Sequence, residues 1–538
     1  MINDMNRAAR ALRALLPLVL AGALAGCSGS DSNDVEAGAA PSSAARVNTA
    51  QGPVTGVEQA RQISFKGIPY AATPIGERRF APPQPTPPRD AALQADRFAS
   101  PCPQTAGTFA EPSENEDCLY LNVYRPKTGD DHPVMVWIHG GAFVTGSGGS
   151  NYNPVRLVQK GMVVVTINYR LGALGFLAHP LLSAASADNG SGDYGLLDQQ
   201  AALRWVQDNI DGFGGDPDNV TVFGESAGGH SVLSQVASPQ AAGLFDRAIV
   251  QSGSYAPAQI SLAQAEQLGA AIAAELGCDT LDCLRDAPVA DVLAAQSDFS
   301  FIPNTRPTVL PNSIAQVIAR GDFNPVPILM GTNRDEGQLF IAGAELARGA
   351  AFQEGEYRAQ IAELIGTDAD DPVVAVVAEY PLADYADTAH ALAAAYTDAR
   401  FACDGLAAAR GLATTVNTYA YEFADRGAPS LLPPAPSFAD YGAAHAYEIA
   451  YVINTESAMR ERGAGDDQIA LSNTMIDYWS SFARTGDPNP SNGVRAFWEP
   501  FASNDNYQEL VAPEPRLLSD SDFSARHHCD FWQAFGMD

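Results

Sequence analysis

Residues 220–233 read VTVFGESAGGHSVL: a β-branched run, a tight glycine turn, then the small-residue start of a helix. At its centre, Gly224-Glu225-Ser226-Ala227-Gly228 is a G-x-S-x-G sequence in the strand–turn–helix context that a nucleophile elbow needs. A turn that sharp pushes the serine out at the top of a sheet, beside backbone N–H groups, where a weak alcohol becomes a usable nucleophile. The pentapeptide alone says little. With 47 glycines in 538 residues it arises by chance about a quarter of a time per chain. The bland alternative is a Gly-Ser turn before an ordinary helix. Context favours the elbow, because Val220, Val222 and Phe223 precede it as a buried strand would, and Gly228 and Gly229 allow close helix–strand packing.

The same texture extends outward. VMVWIHG (134–140), GMVVVTINYR (161–170), DRAIVQSG (246–253), PVPILMGTN (325–333) and NTYAYEF (417–423) are short apolar runs, and QQAALRWVQDNI (199–210) has helical spacing. Near-continuous apolar strands alternating with helices predict an open α/β architecture, with a mostly parallel sheet covered on both faces. Ligands bind such sheets beyond the carboxyl ends of the strands. Ala-rich helical stretches fall near 261–275 and 386–396, no internal repeat is present, and Pro433, Pro434 and Pro436 mark a loop. The chain reads as one catalytic domain over 47–538.

A hydrophobic fraction of 46% supports a large core, and the formal net charge is −31 with only three lysines, Lys66, Lys127 and Lys160. Such a surface repels nucleic acid and anionic membranes and suits a strongly hydrated enzyme. Upstream, Arg7, Arg10 and Arg13 precede a 13-residue apolar stretch, Ala14 to Gly26, too short to span a bilayer. It ends Leu24-Ala25-Gly26-Cys27, which resembles a bacterial lipobox. Residues 1–26 are therefore expected to be a lipoprotein signal peptide, Cys27 the lipidated mature N-terminus, and 27–46 a flexible tether. Ser28, rather than Asp, favours passage to the outer membrane. The expected location is the bacterial cell envelope, with membrane contact only through that anchor.

Six further cysteines remain: Cys102, Cys118, Cys278, Cys283, Cys403 and Cys529. An even count in an exported chain suggests disulfides, and about fifteen connectivities are open to six cysteines. Nearest-neighbour pairing gives Cys102–Cys118, Cys278–Cys283 and Cys403–Cys529. No C-x-x-C zinc spacing occurs, and no metal or cofactor is implied.

A serine nucleophile needs a base, an acid to orient it, and oxyanion donors. In this architecture base and acid follow the serine. That leaves His390, His445, His527 and His528. His390 lies in an Ala-rich helix and His527 and His528 adjoin Cys529, whereas His445 sits in a small-residue loop, YGAAHAYEIAYV, that can present an imidazole. The acid is open at this level. Asp335 and Glu336 in PILMGTNRDEGQLF stand at a strand end, where one carboxylate can cap the next helix and the other turn inward. Donors are better marked, since WIHGGAF (137–143) matches the HGGG-type loop that faces an elbow.

Together these residues resemble the carboxylesterase/cholinesterase family (type-B carboxylesterases) of the α/β-hydrolase fold over about residues 50–538. FGGDPDNVTVFGESAGG (213–229) is similar to its serine signature and EDCLYLNVY (116–124) to its second signature. FKGIPYAATPIGERRF, NYRLGALGF and GDYGLLDQ are similar to other family blocks. The resemblance implies Ser226 as nucleophile, Glu336 as acid and His445 as base. It implies Gly141, Ala142 and Ala227 as oxyanion-hole N–H donors, and the neighbour pairing of the cysteines. Ala142 stands where the family often has a third glycine. The loop between Cys102 and Cys118 carries no Trp, so the cation–π platform for a choline ester is missing there. The implied activity is hydrolysis of a small-molecule carboxylic ester. Rival readings are an amidase, thioesterase or carbamate hydrolase with the same triad, or a non-catalytic adhesion module on the same fold. The sequence leaves the ester itself and the oligomeric state open.

Overall fold

The computed structural model describes residues 45–107, 110–491, 496–501 and 506–535. The stretch expected to be a signal peptide, Cys27 and nearly all of the expected tether lie outside these. Strands in chain order are β1 (Arg46–Thr49), β2 (Gly52–Thr55), β3 (Val57–Glu58), β4 (Ile63–Pro69) and β5 (Leu93–Gln94). Next come β6 (Tyr120–Arg125), β7 (His132–Ile138), β8 (Val163–Ile167), β9 (Gly215–Glu225) and β10 (Arg247–Gln251). The last are β11 (Ile328–Asn333), β12 (Thr418–Phe423), β13 (Asn506–Leu510) and β14 (Arg516–Ser519).

An 11-stranded sheet runs in the order β14-β13-β12-β11-β10-β9-β7-β8-β6-β4-β3, and β1, β2 and β5 form a separate 3-stranded sheet. From β8 through β13 every neighbouring pair is parallel, while β3, β4, β6 and β14 join antiparallel at the two edges. This is the mostly parallel α/β sheet expected from the apolar runs, in keeping with the α/β-hydrolase fold that the resemblance implied.

The two-residue period of a strand divides those runs between two cores. On β7, Val134, Val136 and Ile138 join one cluster, with Met135 and Trp137 in the other. On β10, Ala248 and Val250 face the first and Ile249 the second. The first face is covered by helices Tyr194–Asn209 and Ala227–Ala237, the second by helices Thr388–Thr397 and Asp466–Thr485. Burial on both faces is why the middles of β7 and β10 are apolar at consecutive positions. Among the described residues no helix is long and apolar enough to cross a membrane.

The cysteines pair Cys102–Cys118, Cys278–Cys283 and Cys403–Cys529. The last closes a sequence separation of 126 residues, which restricts the unfolded chain by about 5 kcal/mol on the loop-entropy model.

Candidate active site

The site lies where β7, β9 and β11 end. β9 runs to Glu225, and Ser226 then takes φ 55°, ψ −121° before helix Ala227–Ala237 begins. That conformation is strained for a residue with a side chain, by about 1–3 kcal/mol, and the packing around it holds it in place. Ser226 N–H donates to Gln251 O at 2.9 Å and Ser226 O accepts from His230 N–H at 2.8 Å. Gly228 is required because a Cβ there would come 2.0 Å from Ile138 O, so only glycine lets the helix cross β7 this closely.

The glycine loop after β7 packs on the elbow: a Cβ on Gly140 would lie 3.0 Å from Ser226 Cβ. Gly141, Ala142 and Phe143 follow with φ of 108°, 53° and 61°. Three successive residues thus take positive φ. Among the described residues, the N–H groups of Gly141, Ala142 and Ala227 donate to no loop or side-chain acceptor. His139 underpins the loop: its Nδ1 lies 2.8 Å from Gly140 O, its ring stacks on Tyr169, and burial pulls it down to about 4. It is therefore a neutral structural imidazole.

The adjacent carboxylates of the NRDEG loop take opposite tasks. Asp335 turns to the His445 loop, accepting from Arg426 at 2.7 and 2.9 Å and from Ala443 N–H at 3.0 Å. Glu336 is fully buried; its Oε1 accepts from Asn333 N–H at 2.7 Å and its Oε2 lies 2.6 Å from His445 Nδ1. A short hydrogen bond thus joins Glu336 to His445.

The third member is placed differently. Among the described residues no hydrogen bond joins Ser226 Oγ to His445 Nε2. The Tyr255 hydroxyl interacts with Ser226 instead. Glu225 Oε1 lies 3.1 Å from Nε2, yet out of line for a hydrogen bond. Catalytic hydrogen bonds of this kind often tighten only around bound substrate. Burial alone pulls His445 down, but the Glu225 and Glu336 carboxylates outweigh it and hold the imidazole up at about 9. Burial pushes Glu225 up to about 8, against the pull of His445.

Supporting residues that the sequence reading did not single out complete the site. Glu448, fully buried, accepts from Gln251 Nε2 at 3.0 Å and from Asn333 Nδ2 at 2.7 Å. Asn333 Nδ2 also donates to Ala444 O at 2.7 Å, and Trp479 Nε1 donates to Gln251 Oε1 at 3.1 Å. This buried relay locks the residue before His445 to the ends of β10 and β11. A carboxylate inside the apolar run AYEIAYVI was the available signal. Tyr255 had none, since its contact is made only by folding.

The other histidines are accounted for. His390 Nδ1 lies 2.8 Å from Asp387 at a helix start, half-buried. His230 is buried beneath Tyr255, and burial pulls it down to about 4. His527 bridges Asp398 and Glu422, and His528 pairs with Glu379.

Comparisons with known proteins identify the family. The model of the carboxylesterase family matches residues 43–532. The chain is 36% identical over 467 residues to the para-nitrobenzyl esterase of Bacillus subtilis, covering 82% of this chain and 90% of the relative. It is 36% identical over 488 residues to the fumonisin B1 esterase of Sphingopyxis macrogoltabida, covering 84% of each. A solved PNB esterase superposes with a TM-score of 0.75 at 33% identity, over 90% of this chain and 99% of that one. With an elbow serine, a buried acid–imidazole pair and a family match spanning nearly the whole described fold, the chain belongs to the carboxylesterase family and is a carboxylic ester hydrolase.

Proposed function

We propose that Ser226, His445 and Glu336 are the nucleophile, base and orienting acid of a two-step acyl transfer. Gly141, Ala142 and Ala227 supply the oxyanion N–H groups. The observation that carries this is the 2.6 Å pair of His445 Nδ1 and Glu336 Oε2 beside a strained elbow serine. Ser226 Oγ swings from Tyr255 to Nε2, gives up its proton and attacks the ester carbonyl. The tetrahedral oxyanion forms against the three free N–H groups, His445 returns the proton to the departing alcohol, and water repeats the sequence on the acyl-enzyme. Each donor is worth about 10²–10³ in turnover. Labelling of Ser226 by a fluorophosphonate, read by mass spectrometry, tests the assignment; wild-type protein that hydrolyses esters but carries the label elsewhere refutes it.

Phe340 and Phe401 lie 4.9 and 5.0 Å from the His445 ring, and Tyr255 packs on Phe401. These walls favour esters with an apolar acyl or aryl group, and one relative is named a para-nitrobenzyl esterase. Choline esters are poor candidates without a Trp in the Cys102–Cys118 loop.

Because a base must be neutral to act, activity falls as pH drops through the His445 ionisation. The Glu225 carboxylate is the first of the charges that raise that ionisation. Glu225→Gln is therefore expected to move the acid limb of kcat/KM to lower pH by about 1 unit or more, the reach of a charge at this separation. A limb that stays in place removes Glu225 from this role.

The chain is further proposed to be exported and anchored through a lipid on Cys27. Cys27→Ala is expected to move the esterase from the membrane fraction to the soluble fraction of cells expressing the full chain. Unchanged partition overturns the anchor.

A further inference from the structure

A second buried histidine is flanked by two acids, and it is wired differently from His445. His527 Nδ1 lies 2.6 Å from Asp398 Oδ1 and Nε2 lies 2.8 Å from Glu422 Oε1. Ionised carboxylates only accept hydrogen bonds, so both ring nitrogens carry protons and the ring is an imidazolium. His445, by contrast, has one in-line carboxylate and leaves Nε2 for the serine. His527 has no nitrogen left for chemistry. Its ring is 4.6 Å from Phe523 and fully enclosed.

What His527 holds leads to the active site by two routes. Asp398 opens the π-turn Asp398–Ala402, whose Phe401 ring packs against His445. The residue before it, Thr397, accepts the N–H of Gly337, the neighbour of Glu336, at 2.9 Å. Among the described residues, the Asp398 carboxylate has one other hydrogen-bond partner, the Tyr380 hydroxyl at 2.7 Å. On the other side, Glu422 of β12 pairs in register with Thr332 of β11, and its Oε2 accepts from Arg334 Nη2 at 2.5 Å. Arg334 is two residues from Glu336. Glu422 also stands opposite Glu509 of β13, and Arg334, Arg526 and Arg516 lie among these carboxylates. Two like charges facing each other on neighbouring strands repel, so the cations around them fix the strand ends. The Cys403–Cys529 bridge closes over the same junction.

We propose that His527 is a positioning residue for ester hydrolysis: by clamping Asp398 to Glu422 it fixes both the strand end that carries Glu336 and the aromatic wall that holds His445. The inference rests on reading Ser226, His445 and Glu336 as the esterase site. Its electrostatics agree, since Asp398 and Glu422 outweigh burial and hold His527 up at about 9, while His527 and Arg334 overcome burial to hold Glu422 down at about 2.

Two variants test it, each assayed per fluorophosphonate-titrated site on an aryl ester. His527→Gln removes the cation and leaves the Asp398 carboxylate with one hydroxyl partner. The double variant Asp398→Asn, His527→Gln is uncharged at both positions and can rebuild the chain. The introduced asparagine amide donates to the side-chain oxygen of the introduced glutamine, whose NH₂ group in turn donates to Glu422. The single variant is expected to lose about 10–100-fold in kcat per titrated site, the scale of a misplaced catalytic group. It should also shift or broaden the downfield proton resonance of the His445–Glu336 hydrogen bond. The double variant is expected to recover both. A purely structural role would lower the number of titratable sites and the melting temperature but leave kcat per site and the resonance unchanged, and that result overturns the proposal. If the single variant does not fold, the double variant decides: a wild-type resonance and turnover support the clamp, and a folded double variant with the defect overturns it. Wild-type protein that takes no fluorophosphonate would instead strike at the Ser226 assignment.

Discussion

Ser226→Ala is expected to lower kcat about 10⁶-fold while leaving the fold intact. The fold survives because the elbow is held by contacts that do not involve the hydroxyl. Ser226 N–H and O are bonded to Gln251 and His230, and Gly228 seats the helix against β7. Alanine keeps the Cβ, so the strained φ of 55° is no worse than before. What disappears is the elbow hydroxyl, and on the proposed mechanism the acyl-enzyme with it. A residual rate about 10³–10⁴ above uncatalysed hydrolysis should remain, because the oxyanion N–H groups still bind the transition state. Burst kinetics with an aryl ester, together with intact-mass analysis for the acyl adduct, provide the measurement. Retention of a tenth of the wild-type rate would place the nucleophile elsewhere. Tyr255, which interacts with Ser226, would be the next residue to test.

The parts of this protein that were legible in sequence share a physical cause. β7 through β12 are buried on both faces, so their requirement for apolar residues is written in consecutive positions. The elbow is legible because its backbone conformation restricts which residues can stand around the serine. β13 was not legible, and the reason is specific. Its Gln508 and Glu509 are almost wholly buried, and Glu509 is tolerated because Arg334, just past β11, Arg516 of β14 and Arg526 reach it. A window of sequence around residue 509 contains Arg516 but not Arg334, which lies 175 residues upstream. The same limit applies to the acid. Asp335 and Glu336 are neighbours with similar chemistry, and only the docking of the 443–445 loop shows that one ties the loop while the other faces the imidazole. A hydrogen bond joins His445 to Glu336, and among the described residues none joins His445 to Ser226. At the serine end, Tyr255 and Glu225 stand close by, and neither contact has a local sequence signature.

Glu336→Gln is the sharpest test of that buried pair, with an expected loss in kcat of about 10⁴-fold. The carboxylate has two acceptor oxygens and uses both, one for Asn333 N–H and one for His445 Nδ1. Glutamine has one acceptor oxygen and one NH₂ group. If the oxygen serves Asn333, the NH₂ meets Nδ1, which must then be the unprotonated nitrogen. The proton moves to Nε2, the lone pair facing the serine is gone, and the base is in the wrong tautomer. If the amide is turned the other way, its NH₂ collides with the Asn333 N–H, leaving a buried donor unpaired at a cost of about 1–3 kcal/mol. The first arrangement is the less costly, so turnover should suffer far more than stability, and KM should change little. Pre-steady-state acylation rates and thermal melts on the same preparation separate the two effects. Should the variant keep more than a tenth of wild-type activity, the imidazole must be oriented by another acid. Glu225, 3.1 Å from Nε2, touches the nitrogen that has to accept the serine proton and cannot do this without blocking it. Glu448, one relay removed through Asn333, would then be the residue that holds His445 in its working form.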